Sequence, residues 1–211
     1  MKKPFFILLI FFSKICFSYC QPAMSKYDFI ATMNGKMTKE MVCQDKKITI
    51  KSRLLVDLWV YQVTYDETAM AKKSSIFGVI SDYYTVEDSR KSKAISFHVE
   101  KNAVDLQSVP YVLSYQLAKG FRLSKQIKVF SEEGGNVYQF QVLSKNEKIK
   151  TALGVLDTIK IQGKCSNGDQ LTYWFWKDNY SMVKEDISRN NSSVLEATIV
   201  SQSAEKGCCW D

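Results

Sequence analysis

The chain has 211 residues, 45% of them hydrophobic and 24% charged, with 29 Lys and Arg against 22 Asp and Glu and a formal charge of +7. That length and apolar content suit one domain with a sizeable core and exclude a disordered, charge-rich chain. The basic residues are scattered among acids, in KK, RKSK and KNEKIK, which excludes the concentrated Lys/Arg stripe of a nucleic-acid surface.

At the amino terminus, Lys2 and Lys3 precede the apolar run Phe5 to Phe12, and SKICFSYC follows. This pattern predicts a signal peptide over residues 1–20. A bilayer span needs ~20 apolar residues, and neither this run nor any later one reaches that length, so no stable transmembrane span is expected. Ser18 and Cys20 sit at the small-residue positions for cleavage before Gln21, whereas Phe17 and Tyr19 fit poorly with acylation of Cys20. Removing the segment takes three lysines (Lys2, Lys3, Lys14) and no acid, so the charge drops from +7 by three to +4. The expected localisation is exported, periplasmic or secreted, with lipid anchoring at Cys20 the weaker option.

The mature chain reads as short alternating segments rich in Val, Ile, Tyr, Phe and Thr, the mark of half-buried strands. Strands are predicted over 27–33 and 36–44, flanking Asn34-Gly35, a dipeptide suited to a type I′ hairpin turn. The next covers 47–53 and runs into LLVDLWVYQVTYDE, apolar on both faces, where a bend or one helical turn is expected. Further strands are predicted over 76–85, 94–100, 126–130, 136–144, 156–162, 171–176, 182–187 and 194–201. DLQSVPYVLSYQLAKG reads instead as one short helix over about 109–118, with Ser108 capping its start, Pro110 in its first turn and Gly120 past its end. The expected organisation is a β-rich domain over 21–203 and a cysteine-containing tail over 204–211. The expected fold is mainly β, a curved antiparallel sheet or unclosed barrel with the helix packed on it.

Four cysteines follow the leader: Cys43, Cys165, Cys208 and Cys209. An even number in an exported chain makes each a disulfide candidate, with three connectivities open. Cys208 and Cys209 are adjacent, with neither C-x-x-C spacing nor a nearby histidine, so catalysis or metal binding is not expected of them.

The second half resembles an exported bacterial family, domain of unknown function 3108. ALGVLDTIKIQ, residues 152–162, is similar to that family's small-Gly-x-Phe-x-Ala-x-x-Val hairpin motif, with Leu156 in place of the aromatic and Thr158 in place of the alanine. Trp174, Phe175 and Asp178 fill the places of its Trp-Leu-x-x-Asp strand end, and Val183-Lys184-Glu185 stands where it often has Pro-Val-Arg. The resemblance implies a strongly curved sheet embracing the helix, similar in outline to periplasmic lipoprotein carriers. It carries no catalytic residues and no cofactor.

In TYWFWKDNYSMVKED, 172–186, alternation puts Leu171, Tyr173 and Phe175 on one face and Thr172, Trp174 and Trp176 on the other. Such a strand is either core on both sides or the wall of a cavity. The candidate cavity lining is Trp59, Tyr111, Tyr115, Trp174 and Trp176. His98 is the only histidine, G-x-S-x-G is absent and no metal-ligand spacing occurs, so neither a nucleophilic triad nor a zinc site is expected. Asp82, Glu87 and Asp88, or Glu132 and Glu133, are the acids that could pair for glycoside hydrolysis. The expected function is a non-enzymatic exported protein binding an apolar small molecule, a lipid or an envelope protein. The alternatives are a secreted carboxylate hydrolase and a structural interaction domain.

Overall fold

The computed structural model describes residues 22–208, apart from 33–34, 45–46, 59–60, 75–77, 91–93, 101–102, 121, 124–125, 132–133 and 191. The predicted leader, with Cys20, and residues 209–211, with Cys209, therefore lie outside the described residues.

Alternating side chains in nearly every segment produce strands. They are β1 (Pro22–Ala31), β2 (Gly35–Gln44), β3 (Lys47–Leu58), β4 (Tyr61–Ser74), β5 (Gly78–Asp88), β6 (Ile95–His98) and β7 (Ala103–Asp105). After helix α1 (Val109–Ala118) come β8 (Gln126–Ser131), β9 (Gly134–Thr151), β10 (Gly154–Cys165), β11 (Gln170–Trp176), β12 (Met182–Arg189) and β13 (Ser192–Cys208). All belong to one sheet in the order β6-β5-β4-β3-β2-β1-β13-β12-β11-β10-β9-β8-β7. Every pairing is antiparallel except β7 with β8. The sheet curls until its two ends approach, and side chains rather than a ladder join them. Phe97 of β6 lies 6.2 Å from Tyr84 and 5.9 Å from Phe130 of β8, centroid to centroid. The barrel is left unclosed, as expected.

Several local readings change. LLVDLWVYQVTYDE contains no helical turn among its described residues; it supplies the facing ends of β3 and β4, which pair from Lys47↔Lys72 to Leu58↔Tyr61. The β1–β2 hairpin forms, but Ala31 pairs with Gly35, so Gly35 is already a strand residue rather than half of a two-residue turn. Its bare Cα admits close backbone: an added Cβ would stand 3.1 Å from the Thr32 carbonyl oxygen. β13 carries residues 204–208 of the expected tail into the sheet, where Cys208 pairs with Pro22 of β1.

Helix α1 occurs where expected, yet Ser108 makes no side-chain cap bond. Asp105 instead holds Ser108 itself, accepting from its amide at 2.9 Å and from its hydroxyl at 2.5 Å. Gly120, at φ +66°, provides the left-handed exit that other residues resist. The helix is a plug more than an amphipathic cover: Val109 to Ser114 and Gln116 are all buried. The Ser114 hydroxyl donates to the Tyr180 carbonyl at 2.8 Å, tying the helix to the β11–β12 turn.

The main core joins α1 to the inner faces of β2–β5 and β8–β11, with Ile48, Ile50, Leu113, Ile127, Ile161 and Tyr173 fully buried. A second cluster gathers Phe29, Met37, Leu156, Trp174, Val183 and Ile199. In the main core Phe140 pairs with Gly163 across β9 and β10. A Cβ on Gly163 would meet the Phe140 ring at 2.5 Å, so only glycine lets the ring lie over the strand. Gly163→Ala is expected to destabilise the protein by about 1–3 kcal/mol through overpacking. Urea unfolding measures this, and Gly163→Ala combined with Phe140→Leu should recover part of the loss.

Candidate functional site

The inner face of β2, β3 and β4 alternates apolar residues with one polar row. Cross-strand register aligns Lys39 with Ser52 and Ser52 with Glu67. On one side of that row lie Met37, Leu54 and Tyr65; on the other lie Met41, Ile50 and Ala69. Because side chains alternate, Lys39 and Glu67 cannot reach solvent on the outer face without moving every neighbour in their strands inside out. They are buried, at 3% and 8% exposure.

Opposite them, β12 presents Glu185 between Val183 and Ile187. Lys39 Nζ donates to Glu185 Oε2 at 2.8 Å, with the two side chains 4% and 1% exposed. Glu67 accepts hydrogen bonds from the Tyr84 hydroxyl and from Gln107 Nε2. Burial pushes the Glu67 carboxyl up to about 7, against the opposing pull of the Tyr84 hydrogen bond and the Lys39 charge. Burial, then the negative charge of Glu185, raises the Tyr173 hydroxyl, which stays a neutral phenol. Tyr84 shifts the same way, through burial and then through Glu67.

Between these facing strands lies a cavity of about 450 Å³, a volume in the range of small-molecule sites. Leu54, Val56, Val63, Ile187, Val194 and Leu195 form its aliphatic walls, and Lys39, Glu67, Gln107, Tyr173 and Glu185 its polar part. Leu106 and Gln107, between β7 and α1, bring the plug end to it.

The aromatic residues singled out from the sequence lie elsewhere. Tyr111 is buried in the main core and Tyr115 is half-buried on α1, its ring 6.0 Å from Lys119 Nζ. Trp174 falls on the side of β11 away from Tyr173. There it pairs with Lys160 of β10 and Lys184 of β12, whose ammonium groups stand 4.7 Å and 5.0 Å from its ring centroid. Its indole nitrogen donates to Glu147 Oε1 at 3.0 Å. Trp174 is thus 6% exposed, covered by the lysine stems and by its neighbours in the second cluster. Trp176 packs at the edge of the second cluster, and Trp59 lies outside the described residues. None of the four described aromatics lines the cavity; the lining ring from that strand is Tyr173.

The acids named for hydrolysis do not converge among the described residues. Asp88 is buried and held by the Arg90 guanidinium at 2.7 Å, while Glu87 faces a separate groove of about 510 Å³ beside Lys51, Arg53 and Asp66. The side chains of Asp82, Glu132 and Glu133 lie outside the described residues. The acids that do share a cavity, Glu67 and Glu185, were missed. Their signal was present: each is a charged residue in the inward phase of an otherwise apolar alternation, as is Lys39 in Met37-x-Lys39-x-Met41.

His98 is exposed at the end of β6. No group of three or more His, Cys, Asp or Glu side chains that could hold a metal occurs among the described residues. Cys43 is disulfide-bonded, and Cys165 is a free, half-buried thiol. A Cys43–Cys165 bridge is therefore not formed. No helix among the described residues is long and apolar enough to cross a membrane.

The family model described as Protein of unknown function (DUF3108) matches residues 77–198. Among solved structures, the chain is similar to a protein of YmcC-like fold from Bacteroides fragilis NCTC 9343, named as an exported protein. Identity is 7% and the TM-score 0.35, covering 87% of this chain and 97% of that one. No curated protein matches the chain.

Two outcomes test the geometry. Lys39→Met strands the Glu185 charge and is expected to cost about 3–5 kcal/mol, most of it recovered in Lys39→Met combined with Glu185→Leu; urea unfolding of the three variants measures both. For Glu67 the folded carboxyl keeps its proton between the ordinary value of 4.5 and about 7, where the unfolded one has lost it. Its contribution is therefore complete below about 4.5 and falls as pH rises, by about 3 kcal/mol across that window. Unfolding free energy followed from pH 4 to pH 8 should show the decline in the wild type and a flatter profile in Glu67→Gln.

Proposed function

The chain belongs to the family described as Protein of unknown function (DUF3108), and from that footing we propose that it is an exported, non-enzymatic protein that binds an apolar ligand in the cavity of its curled sheet. The observation that carries this reading is the cavity itself: about 450 Å³ with walls of leucine, isoleucine and valine. Apolar walls favour hydrocarbon over water in proportion to the area covered, at about 25 cal/mol per Å². A cavity of this size also counts against a purely structural domain, and an envelope protein partner would have to enter it or cover it.

A second reading is favoured by one observation. Glu67, with its carboxyl raised to about 7, and Glu185, paired with a lysine, share the cavity, and two carboxyls in contrasting environments are the equipment of acid–base hydrolysis. We rank it lower because Glu185 is already engaged by Lys39 at 2.8 Å and Leu54, Val56, Val63, Ile187, Val194 and Leu195 give the cavity a largely aliphatic wall. Turnover of chromogenic glycosides by the wild type, lost in Glu67→Gln, would raise it above the first reading.

The primary test is titration with N-phenylnaphthylamine, an apolar dye that brightens in hydrocarbon surroundings. Saturable binding is expected, and Leu54→Trp combined with Val63→Trp, which fills the cavity, should weaken it about tenfold or more. Unchanged binding by that variant, with its circular dichroism spectrum intact, would place the dye elsewhere and refute the proposal.

A further inference from the structure

The polar end of the cavity carries information about the ligand's head group, an inference that rests on the binding reading above. Four buried side-chain polar atoms among the described residues have no hydrogen-bond partner: Ser25 Oγ, Gln107 Oε1, the Tyr173 hydroxyl and Glu185 Oε1. The last three belong to residues that line the one cavity. Buried polar atoms are nearly always satisfied in folded proteins, so three unmet ones at a single apolar-walled cavity are an unusual concentration. A ligand's polar group would remove that deficit on binding.

We propose that the ligand is an amphiphile with a neutral, hydroxyl-bearing head, of the fatty alcohol or monoacylglycerol type, whose hydroxyl groups bond Glu185, Tyr173 and Gln107 while the hydrocarbon lies along Leu54, Val63 and Leu195.

The donor and acceptor inventory selects this head. Glu185 Oε2 is bonded to Lys39, and Oε1, the remaining carboxylate oxygen, can only accept. The ligand must therefore donate there. Tyr173, a neutral phenol, gives one proton and accepts another. Gln107 donates through Nε2 to Glu67 and leaves Oε1 as an acceptor. When Glu67 takes up a proton, the Gln107 amide can turn to accept it and offer Nε2 to the cavity instead. A hydroxyl both donates and accepts, so it fits either orientation.

Charged heads fit worse. A carboxylate has no proton for Glu185 and adds negative charge beside Glu185 and Glu67, with Lys39 already engaged. The arginines at the lining do not alter this: Arg90 is held by both oxygens of Asp88, and Arg189 has a partner of its own. An ammonium head can donate to Glu185, but it meets Lys39 as a like charge and cannot accept from Tyr173.

The test is displacement of N-phenylnaphthylamine at pH 7 by three amphiphiles of one chain length, below their micellar concentrations: a monoacylglycerol, the fatty acid and the alkylamine. The monoacylglycerol is expected to displace the dye at about tenfold lower concentration than either other compound. Tyr173→Phe should narrow that preference by several-fold. Equal or tighter displacement by the fatty acid or the amine would overturn the head-group inference while leaving the apolar-ligand reading intact. Failure of the dye to bind at all would overturn both.

Discussion

One buried ion pair constrains how this sheet is allowed to fold. Lys39 and Glu185 lie on β2 and β12, strands separated in the sheet by β1 and β13, and they come within 2.8 Å only because the sheet curls back on itself. Dehydrating both charges costs several kcal/mol, so a purely apolar pair would often serve stability better. What the pair does instead is specify geometry. Either charge without the other would be stranded in an apolar interior, which sets the facing strands at one distance and one register. The space left beside the pair is the cavity, and Ser52, Glu67, Gln107 and Tyr173 surround it with groups that apolar packing could not tolerate.

Most of the architecture was legible because alternation is a local signal. The segments starting near Lys47, Gln126, Leu171 and Met182 all become strands, and the 109–118 helix matches its predicted extent. The errors fall where a distant partner decides. β7 is three residues long and exists because β8 pairs with it, which nothing in Ala103–Asp105 announces. LLVDLWVYQVTYDE, where a bend or helical turn was expected, is two strands because β3 and β4 pair through to Leu58↔Tyr61, and its alternate residues Leu54, Val56, Val63 and Tyr65 line the cavity. Ser108 leaves the first-turn amides uncapped because its hydroxyl is taken by the Asp105 carboxylate, which also accepts from its amide, a charge-assisted arrangement.

The aromatic residues named from the sequence lie away from the cavity for a different reason. Aromatic residues draw attention in a sequence, but their large apolar surface is what cores need, and Tyr111 and Phe175 go there. Trp174 found cover from two lysines directly across the ladder, a pairing invisible until β10, β11 and β12 are set side by side. The informative residues were the out-of-place ones: single charges on the inward phase of Met37-x-Lys39-x-Met41, Tyr65-x-Glu67-x-Ala69 and Val183-x-Glu185-x-Ile187. Each alone could mark an edge or a register error. Three of them on separate strands converge only once the curl is known.

The strand order has a consequence for how the molecule is made. β1, near the start of the chain, ladders with β13, near its end, and Asp28 bonds Ser201 across 173 positions. β13 follows all the other described strands in the chain, so the seam at the middle of the sheet cannot close until they have all been made. Contacts this distant make for slow folding, because loop entropy is lost before the pairing repays it. During that delay β1 and β12 each expose an unpaired edge. Until that seam closes, both edges are templates on which another copy could add a strand, so the order of the strands makes the half-folded molecule prone to self-association.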